Sequence, residues 1–176
     1  MSRAPLSLKA RAIGLLAQRE HSRTELKRKL LRIQQQQSQR ALQAVKAAAA
    51  EAGATEEDDD AAIAAEAGEV AIDTLLDALA ADGYLDESRF VESRLHVRAG
   101  RFGTQRIQQE LAQHGLRLDA EQQAMLRASE LERAREVWHK RFGEEPARES
   151  TEQARQTRFL LARGFAPDVV RRLLRA

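Results

Sequence analysis

The chain has 176 residues, no cysteine and a formal net charge of +2. Without cysteine, disulfides and thiolate metal sites are excluded, which fits a reducing compartment. The length allows one ordinary core or a short array of small ones. Alanine, leucine, arginine, glutamine and glutamate dominate and β-branched and aromatic residues are few, so helix is expected throughout. No apolar run approaches the roughly 20 residues of a membrane span. The start, Met1-Ser2-Arg3-Ala4-Pro5, lacks the apolar stretch of a secretion signal. A cytoplasmic protein without a membrane partner is expected.

The small net charge conceals three blocks. Met1 to Lys46 carries 11 basic and 2 acidic side chains, Ala47 to Asp82 carries 11 acidic and no basic ones, and Gly83 to Ala176 carries 18 basic and 14 acidic ones. Basic ends around an acidic middle point to a polyanion or an acidic protein as partner, although any single run also reads as a solvated helix face.

The first expected helix covers Ser7 to Gln18, with Leu8, Ala12, Leu15 and Leu16 near one side. Arg19-Glu20-His21 connects it to a capping box, Ser22-Arg23-Thr24-Glu25, which opens a second helix carrying Leu26, Leu30 and Ile33 inward and Arg28, Lys29 and Arg32 outward. Gln34 to Gly68 then changes character: a glutamine run, an alanine run and the acidic block Glu56 to Asp60. Helix can run on to about Ala52 before Gly53, with the acidic block capping or fraying it. This insertion is read as exposed, partly helical, partly mobile and without a core role.

Glu69 to Ala81 restores the helical pattern through Ile72, Leu75, Leu76 and Leu79. Asp82-Gly83-Tyr84-Leu85-Asp86 follows. Gly83 can close a helix in the left-handed conformation, Tyr84 and Leu85 supply apolar contacts that pin the turn, and Asp86 caps the next helix. That helix, Glu87 to Ala99, carries Phe90, Val91, Leu95 and Val97. Thr104 caps Gln105 to Gln113. Asp119 caps a short helix to about Ala128 with Ala120, Ala124 and Met125 inward. Glu130 to Phe142 presents Leu131, Ala134, Trp138 and Phe142. Gly143 to Glu149 is a loop, Ser150-Thr151-Glu152-Gln153 is a second capping box, and Pro167 to Arg175 closes the chain with Val169, Val170, Leu173 and Leu174 inward. The glycine punctuation recurs: Gly115-Leu116 and Gly164-Phe165 stand 49 residues apart, each after a helix and before a capping aspartate, and Arg101-Phe102-Gly103 echoes Arg141-Phe142-Gly143. Nine helices in three sets of three describe a tandem helical array.

At about 100° per residue, Arg94, Arg98 and Arg101 form one narrow strip, with Phe90 and Val97 on one flank and Val91, Leu95 and Phe102 on the other. A guanidinium within an apolar arc needs an anion. The anion is either internal, from Asp73, Asp77, Asp82 or Asp86, or external, a phosphate or an acidic partner read by the planar fork. Catalytic groupings are missing from the pattern. The four histidines, His21, His96, His114 and His139, fall near helix ends or on polar faces and not at metal-ligand spacing. There is no glycine-rich phosphate loop and no nucleophile with a base at useful spacing. Only Tyr84 and Phe102 are placed to stack on bases, and a core or turn role is the simpler assignment for both. No enzyme activity, cofactor or metal is expected.

The sequence resembles the RecX family of recombination regulators. The resemblance is carried by Asp82-Gly83-Tyr84-Leu85-Asp86 with Arg89-Phe90, by Arg98 to Gly103, by Arg106-Ile107, Glu110-Leu111 and Gly115, and by Arg158 to Phe165. Ala10 to Ile13 and Ser22 to Leu26 also fit, so it covers about four fifths of the chain in order. It implies an all-α fold of three tandem three-helix repeats in an elongated, curved array, here at 1–82, 83–128 and 129–176. It also implies a monomer that lies along the RecA filament on single-stranded DNA and restrains its ATP hydrolysis and strand exchange. The candidate residues for that partner or for direct DNA contact are Lys27, Arg28, Arg32, Arg89, Arg94, Arg98, Arg101 and Arg106; Gly83, Tyr84, Asp86, Phe90, Gly115 and Gly164 are the structural motif. The chain departs from the family at Gln34 to Gly68, where relatives usually have a short helix end, a glycine and an apolar residue. The geometry of the first repeat is therefore open. The basic N-terminal segment supports an alternative, a free-standing helical protein that binds DNA or RNA.

Overall fold

A computed structural model describes residues 6–52, 61–143 and 149–175, which form nine α-helices and no strand. They divide into two compact units, Met1–Glu87 and Ser88–Ala176. The acidic block 56–60, Gly53 and most of the expected loop at 143–149 lie outside the described residues.

The first unit holds α1 (Leu8–Leu16), α2 (Arg23–Ala52) and α3 (Ala61–Ala81). Ser7 Oγ accepts the Ala10 N–H at 3.2 Å and Ser22 Oγ accepts the Glu25 N–H at 3.1 Å, so both helix starts are capped by hydroxyls. The core is Ala12, Leu26, Leu30, Ile72, Leu76, Leu79 and Leu85. Each fully buried Leu or Ile there contributes about 1.5–3 kcal/mol. Apolar spacing in α2 ends near Ile33, and the core ends with it: every side chain from Ser38 to Ala47 is exposed. The insertion is nonetheless no separate segment. Its described parts extend α2 and α3, and Gly68 is buried against α2, where an added Cβ would stand 2.0 Å from Gln34 Nε2. His21, just before the α2 cap, is 1% exposed.

The second unit holds α4 (Glu87–Ala99), α5 (Thr104–Ala112), α6 (Ala120–Ala128), α7 (Glu130–Phe142), α8 (Ser150–Ala162) and α9 (Pro167–Arg175). It has two cores. Phe90, Val91, Ile107, Leu111 and Leu126 form one; Ala134, Val137, Trp138, Leu160, Phe165, Val170 and Leu173 form the other. Polar groups of α7 join them. Buried Glu130 accepts the Thr104 N–H at 3.0 Å and the Ala166 N–H at 3.2 Å on one oxygen, holding the starts of α5 and α9 together. The Arg133 guanidinium donates to the carbonyls of Ala99 (2.9 Å), Phe102 (2.7 Å) and Leu126 (2.7 Å), which satisfies the ends of α4 and α6. The backbones also meet directly: Gly103 N–H donates to Arg163 O at 2.9 Å, Gln105 N–H to Gly164 O at 3.1 Å, and a Cβ on Gly103 would stand 2.1 Å from Gly164 O.

Three helices end in the same way. Gly83, Gly115 and Gly164 have φ of 77°, 76° and 78°. In each case the next residue's N–H reaches back five positions, Tyr84 to Leu79, Leu116 to Leu111 and Phe165 to Leu160, the bond of a Schellman motif. At the first of these turns Leu85 supplies the apolar contact, 5% exposed, and Tyr84 is 49% exposed.

Other expectations are corrected locally. Thr104 and Ser150 are the first helical residues and not the caps; Gly103 and Glu149 occupy the cap positions without a side-chain bond. Thr104 is buried under Glu130, which takes over the capping role from a distance. Asp119 does cap α6, in a box closed by Gln122. The inward side of α6 is Leu126, while Ala120, Ala124 and Met125 are exposed, because so short a helix needs a single anchor. Val97 is exposed as well, so the apolar arc of α4 is narrower than its pattern implied.

Candidate functional site

Helices α4 and α5 bound a cleft of about 250 Å³ lined by Arg94, Arg98, Arg106, Gln109, Glu110, Gln113 and His114. The core residues of both helices dictate its lining. Phe90 and Val91 turn α4 inward, and Ile107 and Leu111 turn α5 inward, so the residues a turn away converge along the rim. Arg98 Nε lies 3.0 Å from Glu110 Oε2, and Arg106 Nε lies 3.7 Å from Glu110 Oε1. Arg98 also sits 5.3 Å over the Phe102 ring, and Arg94 sits 5.1 Å over Phe90. His114 closes the cleft with its ring edge on Phe90, 5.0 Å between centroids. One carboxylate and three guanidiniums thus line the cleft, with Glu110 engaging Arg98 and Arg106. Ring faces hold Arg94 and Arg98, and Glu110 holds Arg98 and Arg106.

The expected residues fall at different places. Arg94, Arg98 and Arg106 share the cleft, while Arg89 and Arg101 are exposed on α4 and in the turn after it. The internal anion for Arg98 is Glu110, not one of the four aspartates considered; Asp73 and Asp77 are engaged by α2. Arg23 lies 2.6 Å from Asp77, and Lys27 Nζ lies 2.8 Å from both Asp73 and Glu69. The hydrogen bonds to Asp73 and Glu69 hold the Lys27 ammonium above its usual pKa. Its charge is thus satisfied inside the first unit, whereas Arg28 and Arg32 on the same helix are exposed. Glu110 could have been found from sequence, since Arg106 and Glu110 stand at i and i+4. A second basic surface was overlooked: Arg171, Arg172 and Arg175 with Asp168 on α9. Among the described residues no group of histidine, aspartate and glutamate is arranged to hold a metal ion, and no helix is long and apolar enough to cross a membrane.

These features define an all-α protein, three of its helices ending in glycine turns, with an arginine-lined cleft between α4 and α5. Comparison with known proteins gives the family. Residues 128–174 match the family description "RecX, third three-helix domain". The chain is 45% identical over 177 residues to the regulatory protein RecX of Leptothrix cholodnii, covering 99% of this chain and 91% of the relative. It is 43% identical to that of Ralstonia nicotianae, covering 99% and 90%, and 39% identical to that of Herminiimonas arsenicoxydans, covering 100% and 96%. The chain belongs to the RecX family.

Proposed function

We infer that this RecX-family chain binds the RecA filament on single-stranded DNA and restrains its ATP hydrolysis and strand exchange, acting as a cytoplasmic monomer and performing no catalysis itself. Near-full-length identity to proteins named as regulators supports the role. The observation that carries the site is the arginine excess of the α4–α5 cleft, three guanidiniums about one carboxylate. Such a cleft suits acidic filament surface or the phosphates within it. The three cores support three tandem three-helix repeats, at 1–82, 83–128 and 129–176. Repeated modules of this kind can engage several protomers of a polymer, and linked weak contacts then reach high avidity.

The test uses Arg101→Glu with Arg106→Glu, both exposed and outside the core. Filament affinity is expected to fall at least tenfold, about 1.4 kcal/mol, with a shallower dependence on salt and a loss of restraint on recombinase ATP turnover. Unchanged affinity and salt slope in a variant of native helicity would remove Arg106 of the cleft and the neighbouring Arg101 from the interface. Tight binding of bare nucleic acid with no preference for the filament would instead support the free-standing alternative.

A further inference from the structure

We propose that the outer face of α2 is a docking face for duplex DNA, separate from the α4–α5 cleft. Helix α2 runs for 30 residues, about 45 Å at 1.5 Å per residue, and outlasts its core. Leu26, Leu30 and half-buried Gln37 mark the side turned to the rest of the unit. At 100° per residue the opposite side carries Arg28, Arg32 and Lys46, with Arg40 on its edge and glutamines between them, in an arc about 140° wide whose start also holds Glu25, paired with Arg19 and Lys29. Arg28, Arg32 and Arg40 are exposed, and none lies in an ion pair among the described residues. No acidic side chain occurs between Glu25 and Glu51.

A face that serves only solubility mixes both signs, and like charges at i and i+4, such as Arg28 and Arg32, destabilise an isolated helix by a few tenths of a kcal/mol. One sign sustained over this length therefore calls for a polyanion. The chemistry of the face selects which one. Protein hot spots centre on Trp, Tyr and Arg seated in well-packed, desolvated pockets. The arginines of the arc are exposed, and exposed Leu42 and Val45 lie on its flank. Single strands bind on aromatic platforms, and α2 contains no aromatic residue. A duplex fits what is present. Arginine and lysine engage phosphates, glutamine amides both donate to and accept from base edges, and a bare helix matches a major groove about 12 Å wide.

The experiment measures anisotropy of a labelled duplex, and of a single strand of equal length, with the full-length protein and no recombinase, across a salt series. Wild type should prefer the duplex. Arg28→Gln, Arg32→Gln and Arg40→Gln together, which keep helix propensity, should weaken duplex binding at least tenfold and flatten the log–log salt slope by about 2 to 3. The single Arg40→Gln, far from any core, should flatten it by about 1 and guards against a folding defect in the triple variant. Arg101→Glu with Arg106→Glu should weaken duplex binding less than the triple α2 variant does. No duplex binding at low salt, preference for the single strand, an unaltered slope in the α2 variants, or equal losses in both sets would overturn the proposal. Recombinase is absent from the assay, so failure of the filament reading leaves its outcome untouched.

Discussion

His21 and Glu25 make the first unit sensitive to acid. Burial lowers the His21 pKa from its ordinary 6.5, against the raising influence of Glu25, whose Oε2 lies 3.2 Å from Nδ1. Burial raises the Glu25 pKa, but the Arg19 hydrogen bond and the charges of His21, Arg19 and Lys29 outweigh it, so the net movement is down from 4.5. In both cases the unfolded chain takes up a proton before the folded one does. Stability is complete above about pH 6.5, declines as pH falls below it through His21, and declines again below about 4.5 through Glu25. Thermal melts of wild type should show both steps, and His21→Gln should abolish the upper one and shrink the lower, since the His21 charge helps to lower the Glu25 pKa. Arg133 governs the second unit in another way. Its burial lowers its pKa, yet an arginine remains charged at any pH where the protein folds. Arg133→Met removes four charge-assisted bonds, those to Ser129 Oγ and to the Ala99, Phe102 and Leu126 carbonyls, and only the Leu126 carbonyl keeps a side-chain donor, Ser129 Oγ. A loss of about 2–4 kcal/mol is expected in urea unfolding.

At the level of the helices, the three glycine turns look alike but should respond differently to one methyl group. Gly115 has φ of 76° and nothing within 4 Å of an added Cβ. Gly115→Ala should therefore cost only the backbone strain, about 1–2 kcal/mol. Gly164 has φ of 78°, and its added Cβ would stand 2.5 Å from the Arg106 backbone nitrogen. Gly164→Ala should cost more than about 4 kcal/mol, because the α5 start cannot withdraw without breaking the Gly103 and Glu130 bonds. Denaturant titrations of both variants give the comparison; equal losses would mean that the close approach of α5 to this turn carries no stability. All three glycines were legible in the sequence as helix stops. The collision partners of Gly164 were not, since Arg106 lies nearly sixty residues earlier.

For the whole molecule, the cores decide where the surface charge stands. Lys27 shows this: counted by sequence it joins the basic helix face, but Glu69 and Asp73 consume it. The cleft arginines retain an excess over Glu110, so the filament prediction is placed there and not on the net charge of +2. Exposed ion pairs of this sort contribute less than about 1 kcal/mol to stability. Charge reversal at Arg101 and Arg106 should hence change binding and its salt dependence while leaving the unfolding transition nearly in place.

The sequence alone determined the helical class, the helix ends at Gly83, Gly115 and Gly164, the Asp119 cap, most core residues and the family. All of these rest on spacing of a few residues, where the helical repeat and backbone sterics act locally. Tertiary structure alone decided that Glu130 caps α5 and α9, that Arg133 ties α4 to α6, that Glu110 partners Arg98, and that Gln34 covers Gly68. Each joins groups distant along the chain, and the desolvation that makes a buried polar atom seek a partner depends on neighbours that only the folded chain supplies.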